Sequence, residues 1–199
     1  MADKERDRRI TDVGTLKALA HPVRAQLYRE LSLRRVATAS QLAEQVDEAV
    51  ALVSYHLRKL AEHGLIEQAE PQRADARERW WQPASEGVEI RDADFRDAPE
   101  KAAAHTAASR LFFEQRAAMY RRFLDERITW EDAWATAHES SESMLRLTAA
   151  ELTELVREMR ALLRRYEEDG RAADAAGDTE GRENVAVHMY AFPFRNAGS

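Results

Sequence analysis

The stretch VSYHLRKLAEHGLIE, residues 53–67, predicts a helix that ends at a glycine and continues directly into a strand. Apolar residues recur in it at helical spacing and predict a buried stripe: Val53, Leu57 and Leu60. Three polar side chains fall on other faces: Ser54, Tyr55 and Arg58. Gly64 can end the helix, because a C′ residue favours the left-handed conformation that glycine adopts easily. The pattern therefore predicts an amphipathic helix with one face for a core.

The chain before this helix carries the start signals of three more helices. Asp12 can cap a helix over 12–20, and a proline at the first position favours a second helix over 22–34. Thr38, followed three residues later by Gln41, fits a capping box for a short third helix. The amphipathic helix is then the fourth.

Two apolar and aromatic runs after Gly64 predict a hairpin. LIEQAE (65–70) and RERWWQP (77–83) have the composition of strands, and the polar loop PQRADA joins them. A short helix, a tight break and a longer helix over 50–63, followed by such a hairpin, make a winged helix-turn-helix. The sequence predicts this architecture for residues 12–83.

Four segments, in this order and at this spacing, resemble the winged-helix domain of the ArsR family of bacterial transcription regulators: LKALAHPVRAQLYREL (16–31), ASQLAEQV (39–46), VSYHLRKLAEHGLIE (53–67) and RWWQP (79–83). The resemblance implies a mainly α (α+β) fold, with a winged helix-turn-helix DNA-binding domain followed by a helical C-terminal dimerisation or effector region. It also implies a sequence-specific regulator, expected to be a repressor, that binds a palindromic operator in double-stranded DNA as a homodimer.

In a winged helix the longer helix enters the major groove and the wing lies along the phosphate backbone. The resemblance therefore assigns DNA contacts to the fourth helix and the hairpin: Val50, Ala51, Ser54, Tyr55, Arg58, Lys59, Arg73, Arg77 and Arg79. Arg58 is expected to contact a guanine edge or a phosphate. The preceding turn departs from the family pattern, because DEAVAL (47–52) has two carboxylates where small polar residues are usual. Carboxylates near DNA phosphates weaken binding.

Four segments are predicted along the chain: a charged N-terminal tail (1–11), the winged domain (12–83), an acidic linker (84–100) and a helical C-terminal domain with a terminal strand (101–199). Within the last of these, apolar periodicity predicts helices over 101–127 and 148–169, the second of them capped by Thr148. Alternating apolar residues in NVAVHMYAFPF (184–194) predict the strand, and 144–147 is its expected partner.

Two apolar rows in the second half are expected to hold a dimer or an effector. The first lies on the helix over 101–127, and the second follows a heptad pattern on the helix over 148–169. Their members are Phe112, Met119, Phe123, Leu152, Leu155, Met159, Leu162 and Tyr166. The aromatic residues of this half could also line a small-molecule pocket, although core or interface is the more common role of such residues.

Composition limits the remaining functions. The net charge of −6 is uneven, because residues 1–83 carry +1 and residues 84–199 carry −7. There is no cysteine, which removes thiolate metal sites, and no phosphate-binding loop or catalytic serine motif is present. No stretch is apolar enough to span a bilayer, and a cytoplasmic protein without cofactor, metal or enzymatic activity is expected.

His21 and His56 are expected to be structural groups with hydrogen bonds.

Three alternatives stay open at this point: a metal site, a protein-binding module and a ligand-binding domain. For the metal site, His138 and Glu142 share a helix face, but two ligands do not make a metal site. The acidic turn and acidic second half also fit a winged-helix module that binds another protein and has little DNA affinity, or a regulator with a ligand-binding C-terminal domain.

Overall fold

The computed structural model describes residues 7–70 and 78–195. The protein is mainly helical with two small sheets, which confirms the predicted fold class. It divides into two compact units, residues 1–127 and 128–199. None of the helices within the described ranges is long and apolar enough to cross a membrane.

The first unit consists of short helices and strands followed by one long helix. Its helices are α1 (Val13–Ala20), α2 (Pro22–Arg34), α3 (Ala39–Val46), α4 (Val50–Glu62) and α5 (Pro99–Glu126). Its strands are β1 (Asp7–Ile10), β2 (Ala37–Thr38), β3 (Ile66–Gln68), β4 (Trp80–Pro83) and β5 (Gly87–Ile90). An antiparallel sheet has the order β2-β4-β3, and β1 pairs with β5 in parallel. The predicted helix-turn-helix and hairpin are therefore present.

Local capping signals in the sequence determine where these helices begin. The Asp12 carboxylate accepts a hydrogen bond from the Thr15 amide at 2.7 Å at the start of α1. Thr38 and Gln41 form both bonds of the predicted capping box, at 3.3 and 3.0 Å. Each bond satisfies an amide that the first turn of a helix leaves without a partner, so these predictions are confirmed.

The end of α4 is a complete Schellman motif. Gly64 has a φ of +63°, its amide donates to the Ala61 carbonyl at 2.8 Å, and the Leu65 amide donates to the Leu60 carbonyl at 3.0 Å. The chain turns here into β3. This geometry fixes the hairpin relative to the C-terminal end of α4.

One apolar core holds the first unit together. Leucines from four helices are fully buried in it, with Phe95 beside them: Leu16, Leu27, Leu31, Leu42, Leu57 and Leu60. The long helix α5 packs on α1, where its Ala108 is buried and its Gln115 side chain donates to the Ala20 carbonyl at 3.2 Å. The beginning of α5 therefore belongs to the same folded body as the helix-turn-helix.

Two segments expected to lack regular structure form strands instead. Residues 7–10, within the expected tail, pair with 87–90, within the expected linker, and a 3-10 turn (Asp92–Phe95) follows. The Arg9 guanidinium donates to the Asp94 carboxylate at 2.7 Å and joins the two segments. Sequence patterns missed this pairing because parallel partners so far apart leave no local signal.

The second unit contains α6 (Asp132–Ala137) and α7 (Ala149–Ala176). Thr148 caps α7 through the predicted box with Glu151, at 3.2 and 2.7 Å. The helix continues past Gly170, where the prediction ended it near 169, because a helical glycine costs only about 1 kcal/mol. The predicted strand in 184–194 is wrong, since the described part of this unit has no strand. Alternating apolar residues form a strand only where a partner completes the ladder.

Gly64→Ala should lower the free energy of unfolding by about 1 kcal/mol, because alanine is strained at positive φ. The added Cβ would also lie 2.8 Å from the Arg8 guanidinium. Chemical denaturation followed by circular dichroism measures the change. Gly170→Ala is the matched control, because Gly170 lies within α7 and a Cβ added there would have no neighbouring atom within 4 Å. It should leave stability unchanged or raise it, and equal effects of the two substitutions would contradict the assigned role of Gly64.

Candidate nucleic-acid interface

A three-residue turn separates α3 from α4. Asp47 ends α3 in the left-handed conformation, with φ 52°, and the Glu48 amide donates to the Ala43 carbonyl at 3.2 Å. Ala49 is the N-cap residue of α4, and its side chain makes no capping hydrogen bond. The first amides of α4 are therefore available to an acceptor from outside the domain.

The buried face of α4 fixes which side chains point outward. Val53, Leu57 and Leu60 are fully buried, as predicted, and His56 is buried beside them. The opposite face carries a row at spacings of four, three and four residues: Ala51, Tyr55, Arg58 and Glu62, all exposed. Ser54 and Lys59 are half-buried at the margins of this row. Burial of one face thus presents a continuous surface on the other.

The two cations of α4 have different surroundings. Lys59 lies 2.6 Å from the Glu62 carboxylate, and this hydrogen bond raises the pKa of Lys59 and lowers the pKa of Glu62. Its ammonium also lies 5.9 Å from the centre of the Tyr55 ring. The exposed Arg58 guanidinium has no hydrogen bond or ion pair with any of residues 7–70 and 78–195. Arg58 is therefore the cation of α4 that is ready to meet an external acceptor.

The hairpin brings a second arginine towards α4. Arg79 is exposed, and its guanidinium carbon lies 5.5 Å from the centre of the Trp81 ring. An open groove of about 600 Å³ lies between α4 and the hairpin, with Arg58 and Arg79 among its lining residues. The predicted contacts Arg73 and Arg77 lie outside the described residues. Two of the predicted cationic contacts thus border one groove.

The first turn of α4 is apolar and exposed. Val50 is 47% exposed and Leu52 39% exposed, and Ala49 and Ala51 are exposed around them. Val50 and Ala51 were predicted contacts, but Leu52 was not. The sequence did not single out Leu52, because it adjoins the core residue Val53 in an apolar run. Only the position of the helix start shows that Leu52 is exposed and Val53 is buried.

An acidic surface adjoins this turn. Asp47 and Glu48 are exposed, as the sequence indicated, and together with Glu44 and Ser40 they line a second open groove beside Val50. The carboxylates would repel a phosphate placed over them. A duplex placed on this side would therefore have to avoid the acidic surface.

Two histidines connect the start of α2 to α4, of which His56 is buried and His21 is half-buried. The rings of His21 and His56 lie 4.8 Å apart, and neither Nδ1 atom has a hydrogen-bond partner among residues 7–70 and 78–195, contrary to expectation. Burial lowers the pKa of both imidazoles, and the nearby Arg24 lowers both further. Glu48 partly opposes this shift at His56. The surroundings of both rings therefore favour the neutral imidazole over the charged one.

The apolar rows of the second half are only partly covered. Phe112 packs against the core of the first unit, and Met119 and Phe123 are half-buried further along α5. On α7, Leu152 and Leu155 are half-buried, whereas the later heptad members are exposed: Met159, Leu162 and Tyr166. Across residues 7–70 and 78–195, no three His, Asp or Glu side chains are arranged to hold a metal ion.

Residues 19–69, from the end of α1 through β3, match the family model of a helix-turn-helix domain. The chain therefore contains a helix-turn-helix domain, formed by α3 and α4. This part of the resemblance to ArsR regulators is confirmed, and the narrower family assignment stays a prediction.

Two solved structures are similar to the chain at low identity. One is ZitR from Lactococcus lactis, with 15% identity, a TM-score of 0.29 and 73% of each chain covered. The other is the adhesin competence repressor AdcR from Streptococcus pyogenes, with 15% identity and a TM-score of 0.30, over 74% of this chain and 81% of that chain. Similarities this low do not establish a shared overall fold. None of the curated proteins matches this sequence.

Lowering the pH should destabilise the domain through the histidine pair. Both pKa values lie below the ordinary 6.5, so the unfolded chain takes up protons first as the pH falls, and the free energy of unfolding decreases. Denaturant titrations from about pH 7 down through 6.5 measure the slope. The double variant His21→Gln, His56→Gln should show a smaller slope, and an unchanged slope would contradict the assignment.

Proposed function

We propose that this protein is a DNA-binding transcription regulator rather than an enzyme, and that it binds a palindromic operator as a homodimer through α4 and the wing. The observation that carries the proposal is the exposed row Ala51, Tyr55 and Arg58 on the second helix of a helix-turn-helix. The buried stripe on the other face of α4 holds this row outward.

The contacts follow from the positions of these side chains. The start of α4 enters the major groove, where base edges are distinguished by their hydrogen-bonding groups and by the thymine methyl. Arg58 reaches a guanine edge or a phosphate, and Ser54 and Tyr55 offer hydroxyl groups. Arg79, across the groove from Arg58, contacts the backbone together with Arg73 and Arg77. The bound dimer is expected to act as a repressor, as the resemblance to ArsR regulators implies.

A homodimer supplies the affinity that one domain lacks. A single helix reads few base pairs, and residues 1–83 carry a net charge of only +1, so two copies related by a two-fold axis are needed for specific binding. The exposed heptad residues Met159, Leu162 and Tyr166 of α7 provide an apolar surface for a second copy. The row Met119 and Phe123 on α5 is the second candidate surface.

A small-molecule effector would act by changing the spacing of the two α4 helices. Such a molecule must bind one spacing more tightly than the other, because equal affinity shifts no equilibrium. The half-buried aromatic residues of α5 are the expected place for it. A ligand that binds the folded chain would also raise its melting temperature.

The second candidate function is a protein-binding module. The acidic surface of Asp47 and Glu48 beside the exposed apolar turn favours it, because this surface opposes DNA phosphates. Selection from a library of random DNA duplexes separates the two. Recovery of a two-fold symmetric sequence supports the regulator, whereas no enrichment at low salt would favour the module.

Arg58→Ala should weaken binding to the selected duplex by roughly 5- to 150-fold, as expected for loss of an arginine contact to a base. Fluorescence anisotropy measures the dissociation constant. Arg34→Ala is the control, since Arg34 is also exposed but lies at the end of α2. Arg58→Lys should bind more tightly than Arg58→Ala if Arg58 contacts a phosphate. It should bind as weakly as Arg58→Ala if Arg58 makes a bidentate contact to guanine. Wild-type affinity in Arg58→Ala would reject this role of Arg58.

Leu155→Asp should dissociate the dimer, because a carboxylate would be buried in the apolar seam of α7. Sedimentation velocity measures the mass, and operator affinity should fall with it. Ala161→Asp places the same charge at an exposed position outside the heptad row and should leave the mass unchanged. A dimer that survives Leu155→Asp intact would show that α7 is not the interface.

A further inference from the structure

The apolar first turn of α4 is only partly covered by the folded domain. Val50 and Leu52 leave 47% and 39% of their surface in water, although the core residues Val53 and Leu57 of the same helix are fully buried. Polar side chains at these two positions would cost the fold little, because surface substitutions usually change stability only slightly. The exposed apolar surface therefore calls for an external partner.

The position of this turn limits which kind of molecule can bind to it. Val50, Ala51 and Leu52 are the first three residues of α4 and form its tip, and the row of Tyr55 and Arg58 continues from Ala51 along the exposed face. A duplex that receives Tyr55 and Arg58 in its major groove would bring its base edges to this tip as well. The tip and the row therefore form one continuous surface.

The chemistry of the tip selects the group that it contacts. Among the base edges of the major groove, the C5-methyl of thymine is the apolar group, and the other groups are hydrogen-bond donors or acceptors. A phosphate is a poor partner, because Asp47 and Glu48 are exposed immediately before the tip and would repel it. Apolar side chains gain free energy by removing a methyl group from water.

We infer that Val50 and Leu52 are specificity-determining residues that contact thymine methyl groups in each half of the operator. This inference rests on the proposed function, because it assumes that α4 lies in the major groove. It predicts an operator with thymines at the positions facing the tip, symmetric about the two-fold axis. Guanine contacts by Arg58 would then lie further along the same half-site.

The test removes single methyl groups from the DNA. Full-length protein is first used to select its site from random duplexes, and each thymine of that site is then replaced by deoxyuridine, which keeps the same pairing and hydrogen-bonding groups. Replacement at a contacted thymine should weaken binding about fourfold, and about fifteenfold when made in both half-sites, as expected for one buried methyl group each.

Protein variants assign the effect to the tip. Val50→Ala and Leu52→Ala should each lose sensitivity to one deoxyuridine position while keeping their melting temperatures. Leu33→Ala is the matched control, because Leu33 is 49% exposed and lies on α2; it should keep the full sensitivity. Loss of sensitivity confined to the tip variants is the expected result.

The outcomes separate the inference from the function on which it rests. If the protein selects a symmetric site but deoxyuridine changes nothing, or the tip variants stay fully sensitive, the inference is overturned and the regulator stands. If no DNA is selected, the inference and the proposed function are both overturned, and the apolar tip is assigned to a protein partner instead.

Discussion

Burial of one face of α4 is the constraint on which the rest of the molecule depends. Val53, Leu57 and Leu60 lie in the core with leucines from α1, α2 and α3, and this packing sets the rotation of the helix about its axis. A change of rotation would bury Arg58 and expose the leucines, at a cost of several kcal/mol. The outward surface is therefore a consequence of the core, and the Schellman motif at Gly64 fixes the hairpin to the same helix.

The sequence predicted those features that depend on neighbouring residues. Helix starts at Asp12, Thr38 and Thr148 and the turn at Gly64 were predicted correctly, because capping is decided within a few residues. Long-range pairing was not predictable, as the parallel strands β1 and β5 demonstrate. The predicted strand in 184–194 failed for the same reason, since an alternating pattern does not reveal whether a partner strand exists.

The candidate interface was predictable in its polar part and less so in its apolar part. Helical spacing alone placed Tyr55 and Arg58 on the exposed face. The exposure of Leu52 depends on where α4 begins, and helix ends are the least certain feature of a sequence pattern. The Nδ1 atoms of His21 and His56, which have no partner within the described part of the chain, also required the three-dimensional packing, because His21 precedes α2 and His56 lies in α4.

The central claim is that α4 and the wing bind DNA, and a salt-dependent titration tests it most directly. Purified protein is titrated by anisotropy against duplex from the upstream region of its own gene at two salt concentrations, with a scrambled duplex as competitor. The account predicts saturable binding that resists the competitor and weakens steeply with salt. The logarithm of the association constant should fall linearly with the logarithm of the salt concentration, with a slope of roughly −0.9 for each phosphate contact. Absence of binding at low salt, or binding that is independent of salt, would contradict it.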